Sequence, residues 1–135
     1  MNKTRLLSAI KSLGIHPEDY VVIGSGLFAA LELRDVDDID LIVSESIFKE
    51  IESRESWKKK DFEDGTYYLT HDLYEIGLDW DSINAKPNLA DLKSNEMVIN
   101  DIPFVSPQRL ISWKHKRGKQ KDLEDIKLLE NYLSK

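Results

Sequence analysis

The sequence predicts an α+β fold in which a mixed β-sheet is flanked by helices. Short runs rich in β-branched residues, such as Tyr20–Ile23, are typical of strands buried on both faces. At both ends of the chain, apolar residues recur every three or four positions, which is the spacing of amphipathic helices. Two further pairs of strand-like runs are each joined by a two-residue turn, so hairpins extend the sheet.

Length and composition indicate one domain, 1–135, whose C-terminal portion, 106–135, is helical. Of the 135 residues, 41% are hydrophobic and 33% are charged, a balance typical of a single domain with a sizeable core. No apolar run reaches membrane length and no signal-peptide pattern opens the chain, so we expect a cytoplasmic location. The absence of cysteine excludes disulfides, thiolate zinc sites and a cysteine nucleophile.

The net charge of −6 argues against a protein that coats nucleic acid through its whole surface. Basic charge is nevertheless concentrated at 107–121, where six Lys or Arg residues occur without an acid. A polyanion would dock on this basic segment. The run Lys58-Lys59-Lys60 lies in a strongly charged stretch, 53–64, that we expect to be a solvated loop, with a binding patch as the alternative.

The predicted elements alternate between helices and strands in the first half of the chain. Apolar residues at helical spacing predict a first helix that stops near Gly14. The turn Gly24-Ser25-Gly26 separates a strand from a second helix, and Ser44 is a suitable cap for a third. In order, the predicted elements are a helix at 4–13, a strand at 20–23, a helix at 27–33, a strand at 38–43 and a helix from 44 through 51.

The second half of the chain predicts two hairpins followed by two helices. The hairpins turn at His71-Asp72 and Asn100-Asp101, and Pro103 indicates an edge strand. Ser106-Pro107 is a suitable start for a helix that ends near Gly118. In order, the predicted elements are strands at 66–70 and 73–80, a short helix near 89–92, strands at 96–99 and 102–105, and helices from 107 and from 121.

The turn Gly24-Ser25-Gly26 is a candidate phosphate site because it directly follows a strand and opens a helix. Such a helix presents free backbone N–H groups and the positive end of its dipole, to which phosphate commonly binds. Ser25 can cap the helix and also contact phosphate. The segment 24–29 also fits the dinucleotide pattern G-x-G-x-x-A. In that motif one acid ends a strand, whereas the acids that follow here begin a strand and are doubled.

Those acids, Asp38 and Asp40, form a candidate metal site. In an extended strand, residues two apart point to the same face, so the two carboxylates project together while Ile39 and Leu41 pack the other way. Two carboxylates a few ångströms apart repel each other unless a proton or a cation lies between them. Mg²⁺ is commonly held by one or two carboxylates together with substrate phosphates.

The order Ile23-Gly24-Ser25, a gap of 12 residues and then Asp38-Ile39-Asp40-Leu41 resembles the signature of the DNA polymerase β-like nucleotidyltransferase superfamily. Arg34, four residues before the first aspartate, is similar to its small prokaryotic members. The resemblance implies a palm-like nucleotidyltransferase fold and two Mg²⁺ ions held by Asp38 and Asp40. It also implies nucleoside triphosphate contacts for Gly24, Ser25, Gly26 and Arg34.

The superfamily usually carries a third carboxylate on a buried strand. Leu78-Asp79-Trp80 fits its pattern of an acid between hydrophobic residues, so the resemblance assigns Asp79 as a metal ligand and general base. Glu75 and Asp81 are the alternatives. The competing interpretation is that these acids form the exposed polar face of an edge strand.

The run from Ser106 to Ile126 is similar to the C-terminal part of small nucleotidyltransferases, including those of toxin–antitoxin and abortive-infection systems. The resemblance places Lys114, Lys121 and Asp122 near the cleft, with the lysines as triphosphate ligands. Alternatively, Lys121 and Asp122 only tie two helix ends together through hydrogen bonds.

The expected function is Mg²⁺-dependent transfer of a nucleoside monophosphate from a nucleoside triphosphate, with ATP as the expected donor. The acceptor is a hydroxyl of a protein, an RNA end or a small molecule such as an antibiotic. Three alternatives stay open: a non-catalytic interaction protein such as an antitoxin, a phosphodiesterase or nuclease using the same metals, and an RNA-binding module based on the basic segment. A partner subunit could complete the site, and no segment indicates a base-recognition pocket.

Overall fold

One mixed β-sheet of seven strands is formed within residues 1–62, 65–80 and 87–135, the part of the chain that the computed structural model describes. Six helices flank it in the same residues. In chain order the elements are α1 (Lys3–Ser12), β1 (Tyr20–Ile23), α2 (Gly26–Ala30), β2 (Ile39–Val43), α3 (Glu45–Glu52), β3 (Lys58–Asp61), β4 (Tyr67–His71), β5 (Tyr74–Gly77), α4 (Leu89–Lys93), β6 (Met97–Ile99), β7 (Ile102–Phe104), α5 (Pro107–Arg117) and α6 (Gln120–Leu133).

The sheet has the strand order β3-β4-β5-β2-β1-β7-β6. Strand β2 pairs antiparallel with β1 and parallel with β5, and β1 pairs parallel with β7. The remaining neighbours are antiparallel, two of them as hairpins. The α+β class, the mixed sheet and the flanking helices are therefore confirmed.

The hydrophobic core lies around the central strands β1 and β2. All four residues of β1 and four of the five in β2 are buried, as expected for strands covered on both faces. Helix α1 contributes Leu6 and Ile10 to this core, and α2 contributes Phe28, which is fully buried. Asp40 is the exception in β2, and only half-buried.

The predicted start and stop signals of α5 are confirmed. Ser106 caps the helix, because its hydroxyl accepts a hydrogen bond from the Arg109 backbone N–H at 3.2 Å, and Pro107 occupies the first turn. Gly118 ends the helix in the left-handed conformation, with φ of +63°. Helix α6 begins two residues later.

Several details differ from the predicted elements. The turn between β4 and β5 lies at Asp72-Leu73, one residue later than predicted, and β5 ends at Gly77 instead of Trp80. Residues 58–61 form the edge strand β3 instead of a loop, because pairing with β4 uses backbone groups while all four side chains remain exposed. Helix α2 ends at Ala30, and Glu32 has a positive φ of +59°. Pro103 lies in β7, the second strand from the edge, and β6 is the edge strand. Pairing between β7 and β1 is limited to one register pair at Phe104, so the missing Pro103 N–H is tolerated.

None of the helices described is long and apolar enough to cross a membrane.

Candidate metal and nucleotide site

The parallel pairing of β2 and β5 brings two carboxylates side by side. Asp40 lies directly opposite Glu75 in the register, and residues at the same level of neighbouring strands project from the same face. The Glu75 carboxyl shares a hydrogen bond with Asp40. The second Asp40 oxygen, Oδ1, is buried and has no hydrogen-bond partner within the described residues. A buried carboxylate oxygen without a partner is costly unless a proton or a cation binds it.

Electrostatics link Asp40 to two other carboxylates. Burial, the hydrogen bond and charge of Glu75, and the charge of Asp38 raise the pKa of Asp40 to about 8. Burial also raises the pKa of Asp38, together with the charges of Glu75 and Asp37, while Lys121 lowers it. We call Asp38, Asp40 and Glu75 the acid cluster. At neutral pH the cluster favours either a retained proton or a bound cation.

Gly24 brings the backbone of the glycine turn against this cluster. Its φ is +67°, and a Cβ atom at this position would lie 2.7 Å from Asp40 Oδ2. Gly26 is needed for packing, since a Cβ there would lie 2.8 Å from the Val22 Cγ1 atom. Ser25 occupies the cap position of α2 without making the capping hydrogen bond. The turn is thus placed beside the carboxylates, as the sequence predicts.

Arg34 fixes the position of the Ser25 side chain. Its Nη2 atom donates to Ser25 Oγ at 3.2 Å, and its guanidinium makes two 2.8 Å bonds to the Asp125 carboxylate of α6. The Phe28 ring lies 4.9 Å from the guanidinium carbon. Arg34 therefore connects the glycine turn to the C-terminal helices, and its exposed fraction of 23% limits its access to a ligand.

Lys114 lies inside the protein. Its side chain is 1% exposed, and its Nζ atom is 2.9 Å from Asp125 Oδ2 and 3.5 Å from Asp122 Oδ1. Arg117 makes two further bonds to Asp122, at 2.8 and 2.5 Å, which together with the Lys119 N–H bring the pKa of Asp122 down to about 2. We call Arg34, Lys114, Arg117, Asp122 and Asp125 the ion-pair network.

The network changes the interpretation of the basic segment. Two of its six basic residues, Lys114 and Arg117, are neutralised by buried carboxylates. Asp122 ties the ends of α5 and α6 together through Arg117 and the Lys119 N–H, which matches the alternative interpretation for Asp122 but not for Lys121. Lys121 is exposed, and its charge acts on Asp38. Of the two predicted triphosphate lysines, Lys121 is therefore the one accessible from solvent.

The structure places Asp79 apart from the acid cluster. It lies two residues beyond the end of β5 and forms a backbone bridge with Asn88. The separation of four positions between Glu75 and Asp79 corresponds to about 13 Å along an extended chain. The alternative Glu75 is the acid that reaches Asp40, and Asp81 lies outside the described residues. Both acids follow the same alternation along the chain, so alternation alone does not choose between them. The register of β5 against β2 places Glu75, and not Asp79, opposite Asp40.

A cleft of about 270 Å³ runs along the face of the sheet from the acid cluster. Glu75 and Asp40 line one part, and Asp79 lines it farther along. Four aromatic residues line the cleft together with aliphatic residues of the central strands, and two pairs of rings have centroids 4.9 Å apart. These are Phe62 with Tyr68 and Trp80 with Trp113. The sequence does not predict this aromatic lining, because its residues come from four separate segments of the chain.

The acid cluster fits Mg²⁺ in the chemistry of its donors. Hard carboxylate oxygens suit this ion, and Asp40 Oδ1 is a buried oxygen that lacks a partner in the described residues. Across the same residues, no three acidic or histidine side chains gather closely enough to hold an ion by themselves. Mg²⁺ usually takes only one or two protein carboxylates and completes its coordination with phosphates and water, so a site with two carboxylates suits this ion.

Comparison of the chain with protein-family models, with curated proteins and with solved structures found no match. Interpretation of the site therefore depends on its own geometry and on the sequence pattern.

Proposed function

We propose that this protein is a Mg²⁺-dependent nucleotidyltransferase that moves a nucleoside monophosphate from a nucleoside triphosphate, ATP being the expected donor, to a hydroxyl acceptor. One observation carries the proposal: Asp40 and Glu75 lie at the same level of adjacent strands, against the Gly24 turn, and Asp40 retains a buried oxygen without a partner in the described residues. A carboxylate pair beside a phosphate-binding type of turn suits a metal-bound triphosphate.

Each part of the site has a distinct role in this proposal. Asp40 and Glu75 would hold Mg²⁺, with the charge of Asp38 beside them. The ion when bound would neutralise triphosphate charge and make an acceptor hydroxyl more acidic. The backbone N–H groups at 24–26 would contact the phosphates. Lys121, whose charge already acts on Asp38, would stabilise the pyrophosphate that leaves.

The reaction is an in-line displacement. The acceptor oxygen forms a bond to the α-phosphorus while the bond from that phosphorus to the bridging oxygen breaks, and pyrophosphate leaves with the electron pair. Glu75, which lies opposite Asp40, would take the hydroxyl proton. Asp79, the base assigned from the sequence, lines the same cleft farther along, and substitution of each residue separates the two assignments.

The experiment is transfer of α-labelled nucleoside triphosphates, each of the four in turn, to cleared lysate and to total RNA with Mg²⁺. Asp40→Asn protein and EDTA are the controls. We expect label in a discrete protein, RNA or small-molecule band with wild type only. If no label moves and calorimetry detects no Mg²⁺-dependent triphosphate binding, the catalytic proposal fails and an interaction protein, such as an antitoxin, replaces it.

A further inference from the structure

Two lysines of the outer strand β3 lie on the same face of the sheet as the acid cluster. The register runs from Asp40 to Glu75, from Glu75 to Thr70 and from Thr70 to Lys58. Side chains directly opposite one another project from the same face. Lys58 therefore lies in line with Glu75, two strands away, which corresponds to about 10 Å.

Lys60 belongs to the next row on this face. It lies opposite Tyr68, and Tyr68 Cβ is 3.8 Å from the position that a Gly77 Cβ would occupy. Lys58 and Lys60 are both exposed. Lys59 points to the other face, where its Nζ atom lies 3.3 Å from Glu52 Oε2 and 4.7 Å from the centre of the Tyr67 ring.

Tyr68 and Phe62 lie beside the row that runs from Lys58 through Thr70 to Glu75. Tyr68 lines the cleft, and Phe62, which is 37% exposed, stacks beside it with the ring centroids 4.9 Å apart. From the edge inwards, this face therefore presents exposed cations on β3, Thr70 and the Tyr68 ring on β4, and then the acid cluster. A basic border beside stacking rings is the combination that binds single-stranded nucleic acid.

Building on the proposed function, we propose that the acceptor is the 3′ end of a single-stranded nucleic acid that enters across β3. Its phosphates bind Lys58 and Lys60, its terminal bases stack on Tyr68 and Phe62, and its 3′-hydroxyl reaches the acid cluster. The 3′ oxygen then displaces pyrophosphate from the α-phosphorus, which lengthens the strand by one nucleotide. The basic segment at 107–121 suits this role less well, since Lys114 and Arg117 are already paired.

The test measures binding of a fluorescent single-stranded decaribonucleotide by anisotropy, in Mg²⁺-free buffer at several salt concentrations. Wild type is compared with a double variant that carries Lys58→Gln and Lys60→Gln. The matched control is Lys59→Gln, on the opposite face of the same strand. We expect the double variant to bind about tenfold more weakly than wild type at low salt. The slope of log affinity against log salt should fall by about 1.4, the value for two phosphate contacts on a single strand. Lys59→Gln should match wild type.

Tyr68→Ala provides a second variant. Loss of one stacked base should weaken binding by at least about fivefold without changing the salt slope. Equal binding by the double lysine variant and Lys59→Gln would overturn the inference, as would no binding by wild type. A fall in affinity for free ATP equal to the fall for the oligonucleotide would overturn it too, because the lysines would then serve the triphosphate.

Transfer assays separate this inference from the proposed function. If wild type labels a protein or small molecule but never the oligonucleotide, the nucleic-acid acceptor is wrong and the transferase proposal stands. If the oligonucleotide binds through Lys58 and Lys60 but no label moves to any acceptor and calorimetry detects no Mg²⁺-dependent triphosphate binding, both proposals are overturned. Labelling of the oligonucleotide that declines in the double variant and persists in Lys59→Gln supports both.

Discussion

At the scale of single residues, Asp40 determines the chemistry of the site. The protein buries this carboxyl and places Glu75 beside it, and the resulting pKa of about 8 means that the metal-free protein keeps a proton there at neutral pH. Such an arrangement lowers the stability of the metal-free protein, and carboxyl groups with strongly perturbed pKa values are common at functional sites. A divalent cation that displaces the proton would relieve the repulsion between the two carboxylates.

This pKa predicts how stability depends on pH. Because the native pKa of Asp40 is raised above its unfolded value near 4, the native state binds more protons than the unfolded state between about pH 4 and 8, and its stability falls as pH rises through that range. Asp40→Asn removes the group that causes this pH dependence. In EDTA at pH 8 the free energy of unfolding of the variant should therefore exceed that of wild type by about 1 to 3 kcal/mol.

Denaturant unfolding at pH 4, 6 and 8 measures this difference. The control is Asp101→Asn, an exposed turn position with positive φ that asparagine also accepts. Parallel pH profiles for wild type and Asp40→Asn would show that Asp40 does not hold the proton.

Gly24 predicts a second residue-scale effect. Gly24→Ala forces a side chain into the left-handed region and places its Cβ atom 2.7 Å from Asp40 Oδ2. Gly14→Ala is the matched control, since its φ of +69° is nearly the same and no atom lies within 4 Å. The conformational cost of about 1 to 2 kcal/mol should be common to both. Only Gly24→Ala should also lose Mg²⁺-dependent nucleotide binding, measured by calorimetry, and equal behaviour of the two variants would contradict the assignment.

At the scale of elements, the ion-pair network joins α5 and α6 to the glycine turn. Arg34 contacts Ser25 at one end and Asp125 at the other, and Lys114 fills the buried space between Asp122 and Asp125. Removing one member of a buried charge group leaves the others without compensation. Through this network, the C-terminal helices hold the glycine turn in position.

Lys114→Met should destabilise the protein by about 3 to 5 kcal/mol, because two buried carboxylates lose a cation. Lys116→Met, on an exposed position of the same helix, should change stability by less than about 0.5 kcal/mol. Urea unfolding of the two variants checks this prediction. Equal stabilities of the Lys114→Met and Lys116→Met variants would contradict the structural role of Lys114. They would favour the sequence-based assignment of Lys114 as a phosphate ligand.

At the scale of the whole molecule, patterns within single elements were predictable and pairing between elements was not. Alternation and β-branched runs predicted strands β1 and β2, and the cap residues predicted helix α5. Strand β3 was missed because exposed lysines carry no apolar period. Sequence alternation put Glu75 and Asp79 on one face, but the level at which β5 pairs with β2 selects Glu75, and that level arises from packing distant in sequence.

The most direct test of the candidate site is Mn²⁺ binding in the presence of ATP, followed by electron paramagnetic resonance, in four proteins. Mn²⁺ accepts the same oxygen ligands as Mg²⁺. We predict that wild type and Asp79→Asn bind the ion with similar affinity, whereas Asp40→Asn and Glu75→Gln bind it at least about tenfold more weakly. Full binding by Glu75→Gln together with loss in Asp79→Asn, or equal binding by all four proteins, would contradict the assignment of the acid cluster as the metal site.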